Sequence, residues 1–113
     1  MSEVDKLLKC FTCILGVINY DRQITIAIES LRNAKFDEYD MYLDSAIHYL
    51  DSLVESGCID KETAERQKKV LNNYKGKYKT EHKEKIVQSL IFDSDIISTL
   101  APKTARICVL GKT

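Results

Sequence analysis

The chain has 113 residues, of which 44% are hydrophobic and 30% are charged. This composition is typical of one small globular domain, and it excludes both a multidomain enzyme and a disordered chain. No apolar run approaches the roughly 20 residues that a transmembrane helix needs, so we expect no membrane partner. Residues 1–5 are acidic and polar, unlike the start of a secretory signal, which predicts a cytoplasmic protein.

The charges are divided unevenly along the chain, although the 17 basic and 17 acidic side chains cancel. Residues 1–63 hold 6 basic and 12 acidic side chains, a net of −6, whereas residues 64–113 hold 11 basic and 5 acidic, a net of +6. The sequence leaves two explanations open: the two halves pack together and neutralise each other, or the basic half faces a polyanion.

Apolar residues recur every three to four positions through most of the chain, which predicts an all-α protein. The repeat covers residues 3–19 and then, with a changed phase, residues 21–34, where Asp21 is a candidate N-cap. We expect these two stretches to form either two helices or one helix that is kinked at Gly16.

The third predicted helix has marked boundaries at both ends. Asp37 can cap its first turn, and Phe36 and Met41 have the spacing of a hydrophobic staple. Gly57 suits the left-handed position that follows a helix C-terminus. Because the apolar stripe between these limits is wide, we predict that this helix is central and has neighbours on two sides.

Three further helical elements follow the third helix. Asp60 is expected to cap a fourth helix that ends near Gly76, Thr80 a fifth helix, and Ser94 a short sixth turn. The link between the third and fourth helices is short, so the segment 37–75 is predicted to be an antiparallel hairpin.

These elements together predict an up-down bundle of five or six helices, built around the central third helix. The bundle is expected to occupy residues 1–101 as a single domain. Residues 102–113 are predicted to form a loosely docked C-terminal tail, which contains the apolar run 107–110.

Cys10 and Cys13 have the C-x-x-C spacing, but a zinc site would need a second close pair of ligands, and a redox motif would need its first cysteine at a helix N-terminus. We therefore predict Cys10 and Cys13 to be small apolar side chains in the middle of the first helix. A disulfide between Cys58 and Cys108 is a second possibility, if the host is a hyperthermophile or the protein meets an oxidising compartment. No metal or other cofactor is predicted.

The third predicted helix carries charged side chains at spacings of three and four, which places them on one face. We call this set the acidic ridge, and its members are Asp37, Asp40, Asp44, His48, Asp51 and Glu55. Asp44, His48 and Asp51 have the spacing of a metal site or an acid–base relay, but di-metal helical bundles use a Glu-x-x-His motif on each of two helices, and a second such motif is missing here. We expect instead a solvated or salt-bridged ridge.

Residues 66–85, which we call the basic segment, interleave cations with two tyrosines. Ammonium groups can meet phosphates while aromatic rings stack on bases, so this pattern is compatible with RNA or single-stranded DNA. The other interpretation is that the lysines are solvated or pair with the acidic ridge. The residues in question are Arg66, Lys68, Lys69, Tyr74, Lys75, Lys77, Tyr78 and Lys79.

No combination of residues predicts a catalytic centre, so the leading hypothesis is a non-enzymatic protein-interaction or regulatory module, as a monomer or a homodimer. Its partner is expected to be another protein or a second copy of the chain, bound through the residues Tyr42, Tyr49, Asp44, His48 and Asp51. The alternative is an accessory subunit that binds nucleic acid through the basic segment.

Overall fold

The computed structural model describes residues 3–93, which form four α-helices and one 3-10 turn without a β-strand. The helices are α1 (Glu3–Arg32), α2 (Phe36–Glu55), α3 (Lys61–Tyr74) and α4 (Lys83–Asp93), and the 3-10 turn Lys77–Lys79 precedes α4. The all-α prediction is confirmed for this part of the chain, but it holds four helices instead of five or six. The predicted sixth turn and the tail 102–113 lie outside the described residues.

The first two predicted helices are one continuous helix, α1, and Asp21 lies inside it instead of capping a second helix. Gly16 marks a close approach between helices. A Cβ atom at this position would lie 2.6 Å from Leu53 Cδ2 of α2, so a larger residue would force the buried Leu53 side chain or the helices to shift. None of the described helices meets the length and apolarity that crossing a membrane requires.

The turn between α1 and α2 differs from the prediction at both of its ends. Ala34 has a φ of 58°, and its N–H and that of Lys35 donate to the carbonyl oxygens of Leu31 and Ser30, at 3.0 and 2.8 Å. These bonds form a Schellman motif with alanine at the left-handed position. α2 then begins without a side-chain cap, so the cap predicted at Asp37 is wrong.

The predicted link between α2 and α3 is confirmed. Gly57 has a φ of 73°, and the N–H groups of Gly57 and Cys58 donate to the carbonyl oxygens of Val54 and Leu53. Asp60 caps α3, since its carboxylate accepts a hydrogen bond from the Thr63 N–H at 3.3 Å. The two helices are therefore antiparallel neighbours, as the short link requires.

The end of α3 fits the prediction, but the start of α4 does not. α3 ends at Tyr74, and Gly76 follows it in the left-handed region with a φ of 72°. Thr80 does not cap α4, because its hydroxyl donates to the Lys77 carbonyl oxygen. His82 takes that role, and its Nδ1 accepts a hydrogen bond from the Glu84 N–H at 3.2 Å.

The core lies between α1, α2 and the shorter α3 and α4. α2 packs against both α1 and α3, and α4 packs against α1. The hydroxyl of Tyr39 on α2 donates to the Tyr74 carbonyl oxygen at 2.6 Å, which ties the start of α2 to the end of α3. The largest fully buried side chains include Tyr20, Tyr39, Leu31, Leu43, Leu50, Leu71, Ile86 and Leu90.

A disulfide joins Cys13 of α1 to Cys58 in the α2–α3 link, and both residues are fully buried. This bond contradicts the prediction that Cys13 is an apolar thiol, and it excludes the suggested Cys58–Cys108 pair. Cys10 is also disulfide-bonded, so the same prediction is wrong for Cys10. The sequence could not show this pairing because Cys13 and Cys58 are 45 residues apart, and only the packing of α1 beside α2 brings them together.

Candidate protein-interaction surface

The N-terminal half of α1 carries a row of large apolar side chains that stay exposed among residues 3–93, the part of the chain that the structure describes. Their exposed fractions range from 42% at Ile14 to 63% at Val4. We call this row the outer face, and it consists of Val4, Leu7, Leu8, Phe11, Ile14, Leu15 and Ile18.

The outer face lies on the side of α1 that points away from the core. The side chains that α1 buries follow their own helical spacing at Cys13, Val17, Tyr20 and Ile24. Between residues 13 and 18, α1 is therefore apolar on two sides, and the core covers one of them. A helix with a second uncovered apolar side is typical of a binding surface.

The outer face ends sharply after Ile18. The positions that continue it at spacings of three and four are Arg22, Thr25 and Glu29, and all three are exposed. The same side of one helix is thus apolar in its first half and polar in its second. The polar half is what a surface in contact with water normally shows, which makes the apolar half the feature that needs an explanation.

The outer face is presented on a rigid support. α1 has 30 residues and is about 45 Å long, whereas α2 has 20 residues and is about 30 Å long. Because Cys58, just beyond the end of α2, is bonded to Cys13, the first turns of α1 extend past the end of α2. The disulfide anchors α1 at Cys13, immediately C-terminal to this projecting part.

A shallow groove of about 280 Å³ borders the outer face between α1 and α2. Leu15 of the outer face lines it on one side, and Tyr49 of α2 lines it on the other. Tyr49 is one of the two tyrosines predicted to contact a partner, and it is partly buried against the core, as is Tyr42. The groove connects Tyr49 with the outer face.

The acidic ridge on α2 faces the basic segment of the same chain. Lys75 Nζ lies 2.6 Å from an Asp44 carboxylate oxygen, and Lys68 forms an ion pair with Asp51. The hydrogen bond to Asp51 is the largest cause of the raised pKa of Lys68. The two pairs follow the antiparallel register of α2 and α3. At these positions the acidic and basic halves of the chain neutralise each other.

Asp40 extends these contacts to the end of α3. Its carboxylate accepts a hydrogen bond from the Tyr78 hydroxyl at 2.7 Å and another from the Gly76 N–H at 3.0 Å. The bond to Asp40 is the largest cause of the raised pKa of the Tyr78 hydroxyl. The ridge thereby fixes the turn that follows α3.

His48 stands at the centre of the ridge, and its side chain is exposed. Its Nδ1 donates a hydrogen bond to the Asp44 carbonyl oxygen at 2.8 Å, one turn earlier on the same helix. The carboxylates of Asp44 and Asp51 are engaged by lysines of α3 and the segment after it. Within residues 3–93, no group of three His, Cys, Asp or Glu side chains is placed to hold a metal ion.

The two tyrosines of the basic segment are used inside the protein. Tyr74 is buried, and its hydroxyl donates to the Asp93 carboxylate of α4. Burial, followed by this bond, raises the pKa of Tyr74 to about 12. The Tyr78 ring stacks on Phe36, with ring centroids 4.4 Å apart. Neither ring is therefore presented for stacking on a base. Of the cations in the basic segment, Lys77 lies over the Tyr74 ring, and the exposed ones include Arg66, Lys69 and Lys79.

The sequence-based interpretation did not identify the outer face, because its residues have the same helical spacing as a core stripe. A signal was nevertheless present in the pattern. The exposed and the buried apolar stripes of α1 are both present between residues 13 and 18. A helix at the edge of a small domain has neighbours on one side, so the domain cannot bury both stripes.

Comparisons with known proteins add no relative from which a function could be transferred: no protein family, no curated protein and no solved structure matches the chain.

Proposed function

We propose that this protein is a small non-enzymatic protein-interaction or regulatory module that binds a protein partner through the outer face of α1. The observation that supports this proposal is that seven large apolar side chains lie exposed next to one another along the first half of α1, all on the same side of the helix. Exposing such a row to water costs free energy, and a protein partner that covers it recovers that free energy.

The support beneath the outer face favours the same function. A helix that is already formed and anchored loses little conformational entropy when it binds, so more of the contact energy remains as affinity. The Cys13–Cys58 disulfide and the close contact of Gly16 with Leu53 hold α1 in this way.

The residues first expected to bind the partner take a smaller part in this proposal. Asp44 and Asp51 join α2 to the basic segment, and Tyr42 packs against the core. Tyr49 borders the groove beside Leu15, so it is the one member of that set that a partner on the outer face would also touch.

The alternative function, binding of RNA or single-stranded DNA by the basic segment, has less support. Base stacking needs accessible rings, and Tyr74 and Tyr78 are both engaged with neighbouring side chains. Lys68 and Lys75 are paired with carboxylates of α2. We expect no retention of a single-stranded oligonucleotide in a gel shift at low salt.

The disulfide also bears on where the protein works. We infer an oxidising compartment or a hyperthermophilic host instead of the cytoplasm of a mesophile, because disulfides persist under those conditions and are reduced in most cytosols. The support is the buried Cys13–Cys58 bond.

The proposal can be tested by quantitative co-purification from the source cells with tagged wild type, Phe11→Glu and Thr25→Glu. Phe11 lies in the middle of the outer face, and Thr25 lies on its polar continuation, so the two variants add the same charge to the same helix side. We expect a protein that is enriched with wild type and Thr25→Glu and lost with Phe11→Glu. Equal enrichment with all three forms would contradict the proposal, as would no enrichment with any.

A further inference from the structure

We propose that the outer face binds a second copy of this chain, and that two α1 helices pair antiparallel about a twofold axis at Phe11. This inference rests on the proposed function, and it names the partner for the same surface. Spacing, symmetry, charge and area support it separately.

The spacing is that of a coiled-coil seam. Val4, Phe11 and Ile18 lie seven residues apart, and Leu7 and Ile14 lie three residues after the first two of them. Side chains at these heptad positions form a row that can interlock with a row on another helix, and Leu8 and Leu15, which directly follow Leu7 and Ile14, widen it. The seam is two heptads long, which is short for an isolated coiled coil. Here, however, the helix is already formed and anchored at Cys13.

The outer face is symmetric about its middle residue. Leu8 and Ile14 lie three residues to either side of Phe11, and Leu7 and Leu15 lie four residues to either side. Val4 and Ile18 complete the row at seven residues. A twofold interface must be complementary to itself, and a row with this symmetry meets its own copy in the same order when one helix is reversed.

The charges at the two ends of the row favour the antiparallel arrangement. Glu3 stands before Val4 at one end, and Arg22 follows Ile18 by one turn at the other. Reversing one helix brings Glu3 of one copy towards Arg22 of the other, whereas parallel helices would place Glu3 beside Glu3. Like charges at an interface oppose binding, so this pair of side chains favours the antiparallel orientation.

The area available is that of an ordinary dimer. The seven side chains are 42–63% exposed, and each offers on the order of 100 Å² of apolar surface. A pair of faces would therefore bury about 1,400 Å² in total, within the range of roughly 1,200–2,000 Å² for stable protein interfaces.

A membrane surface is a poorer occupant of the same face. Helices that lie on membranes usually carry an excess of cations on their polar side and aromatic residues at its border. The same stretch of α1 has Lys6 and Lys9, which Glu3 and Asp5 offset, and the chain has no tryptophan.

Sedimentation equilibrium of the purified, oxidised full-length protein over a concentration series tests the inference. We expect wild type to approach twice the chain mass of 12.9 kDa. Phe11→Glu would place two charges at the axis and should weaken association at least ~100-fold, whereas Thr25→Glu should associate like wild type. Leu7→Gln combined with Leu15→Gln is a second disrupting variant without added charge.

Far-UV circular dichroism of each variant checks that the helices are retained, as the exposure of these positions predicts. Wild type that stays monomeric at every concentration would overturn the inference. The outer face would then be covered by residues of the same chain, by another protein or by lipid, and not by a second copy. A Phe11→Glu protein that associates like wild type would also overturn it. Neither result affects the co-purification test, so a monomer that captures another protein through Phe11 would leave the proposed function standing.

Discussion

Removal of the Cys13–Cys58 disulfide is expected to lower the free energy of unfolding by about 4 kcal/mol. The bond closes a loop between residues 45 positions apart. The chain-entropy relation for a loop of this length gives a loss of about 13 cal/mol/K for the unfolded chain, or about 4 kcal/mol at 25 °C. Because small domains have only about 5–15 kcal/mol in total, this bond supplies a large part of the stability.

Urea-induced unfolding of Cys13→Ala combined with Cys58→Ala, followed by far-UV circular dichroism, measures this loss. Both cysteines are replaced so that neither leaves a reactive thiol. The urea dependence should also become steeper, because the unfolded variant exposes more surface than the cross-linked chain. As a control, reductant should destabilise wild type more than it does the variant. A loss below about 1 kcal/mol would refute the reasoning.

Three further predictions concern single positions. Ala34→Gly should raise the free energy of unfolding by about 0.5–1 kcal/mol in the same assay, because alanine is strained at a φ of 58°; a decrease would contradict the left-handed turn. Gly16→Ala should lose about 1 kcal/mol despite the better helix propensity of alanine, since its Cβ would meet Leu53; a gain would show that the helices can move apart. The raised pKa of Tyr74, about 12 against 10.0 for the free side chain, stabilises the fold fully below pH 10, and this stabilisation is lost as the pH rises to about 12. Tyr74→Phe should therefore lose less stability over that interval, and an unchanged pH dependence would argue against the buried hydroxyl.

Local signals in the sequence predicted a good part of the fold. The helical repeat gave the all-α class, and Gly57 and Asp60 gave the boundaries of the α2–α3 link, because turn and cap geometry depend on a few adjacent residues. The predicted caps at Asp37 and Thr80 were wrong, since Lys35 and His82 occupy the N-cap positions of α2 and α4. Phe36, which has the spacing of a hydrophobic staple, is the first residue of α2, and its ring stacks on Tyr78.

The sequence did not show which stripe of α1 is the binding surface, because the outer and inner stripes are both apolar and have the same helical spacing. Whether Phe11 or Cys13 faces the core depends on where α2 packs, and Gly16 and the disulfide decide that. The change of phase near residue 20 is compatible with two helices or with one kinked helix, and in the structure it marks the point where the outer stripe stops and the inner stripe continues through Tyr20 and Ile24.

The central claim is that the outer faces of two copies pair with their α1 helices antiparallel. A cross-link whose position is mapped tests this claim most directly. A benzophenone amino acid at position 4 of the full-length chain would be activated by light, and the product digested with trypsin and sequenced by mass spectrometry. We predict a link between two copies that joins position 4 to the peptide 10–22, which contains Ile18. A link to residues near position 4 of the other copy, or no link between copies, would contradict the claim.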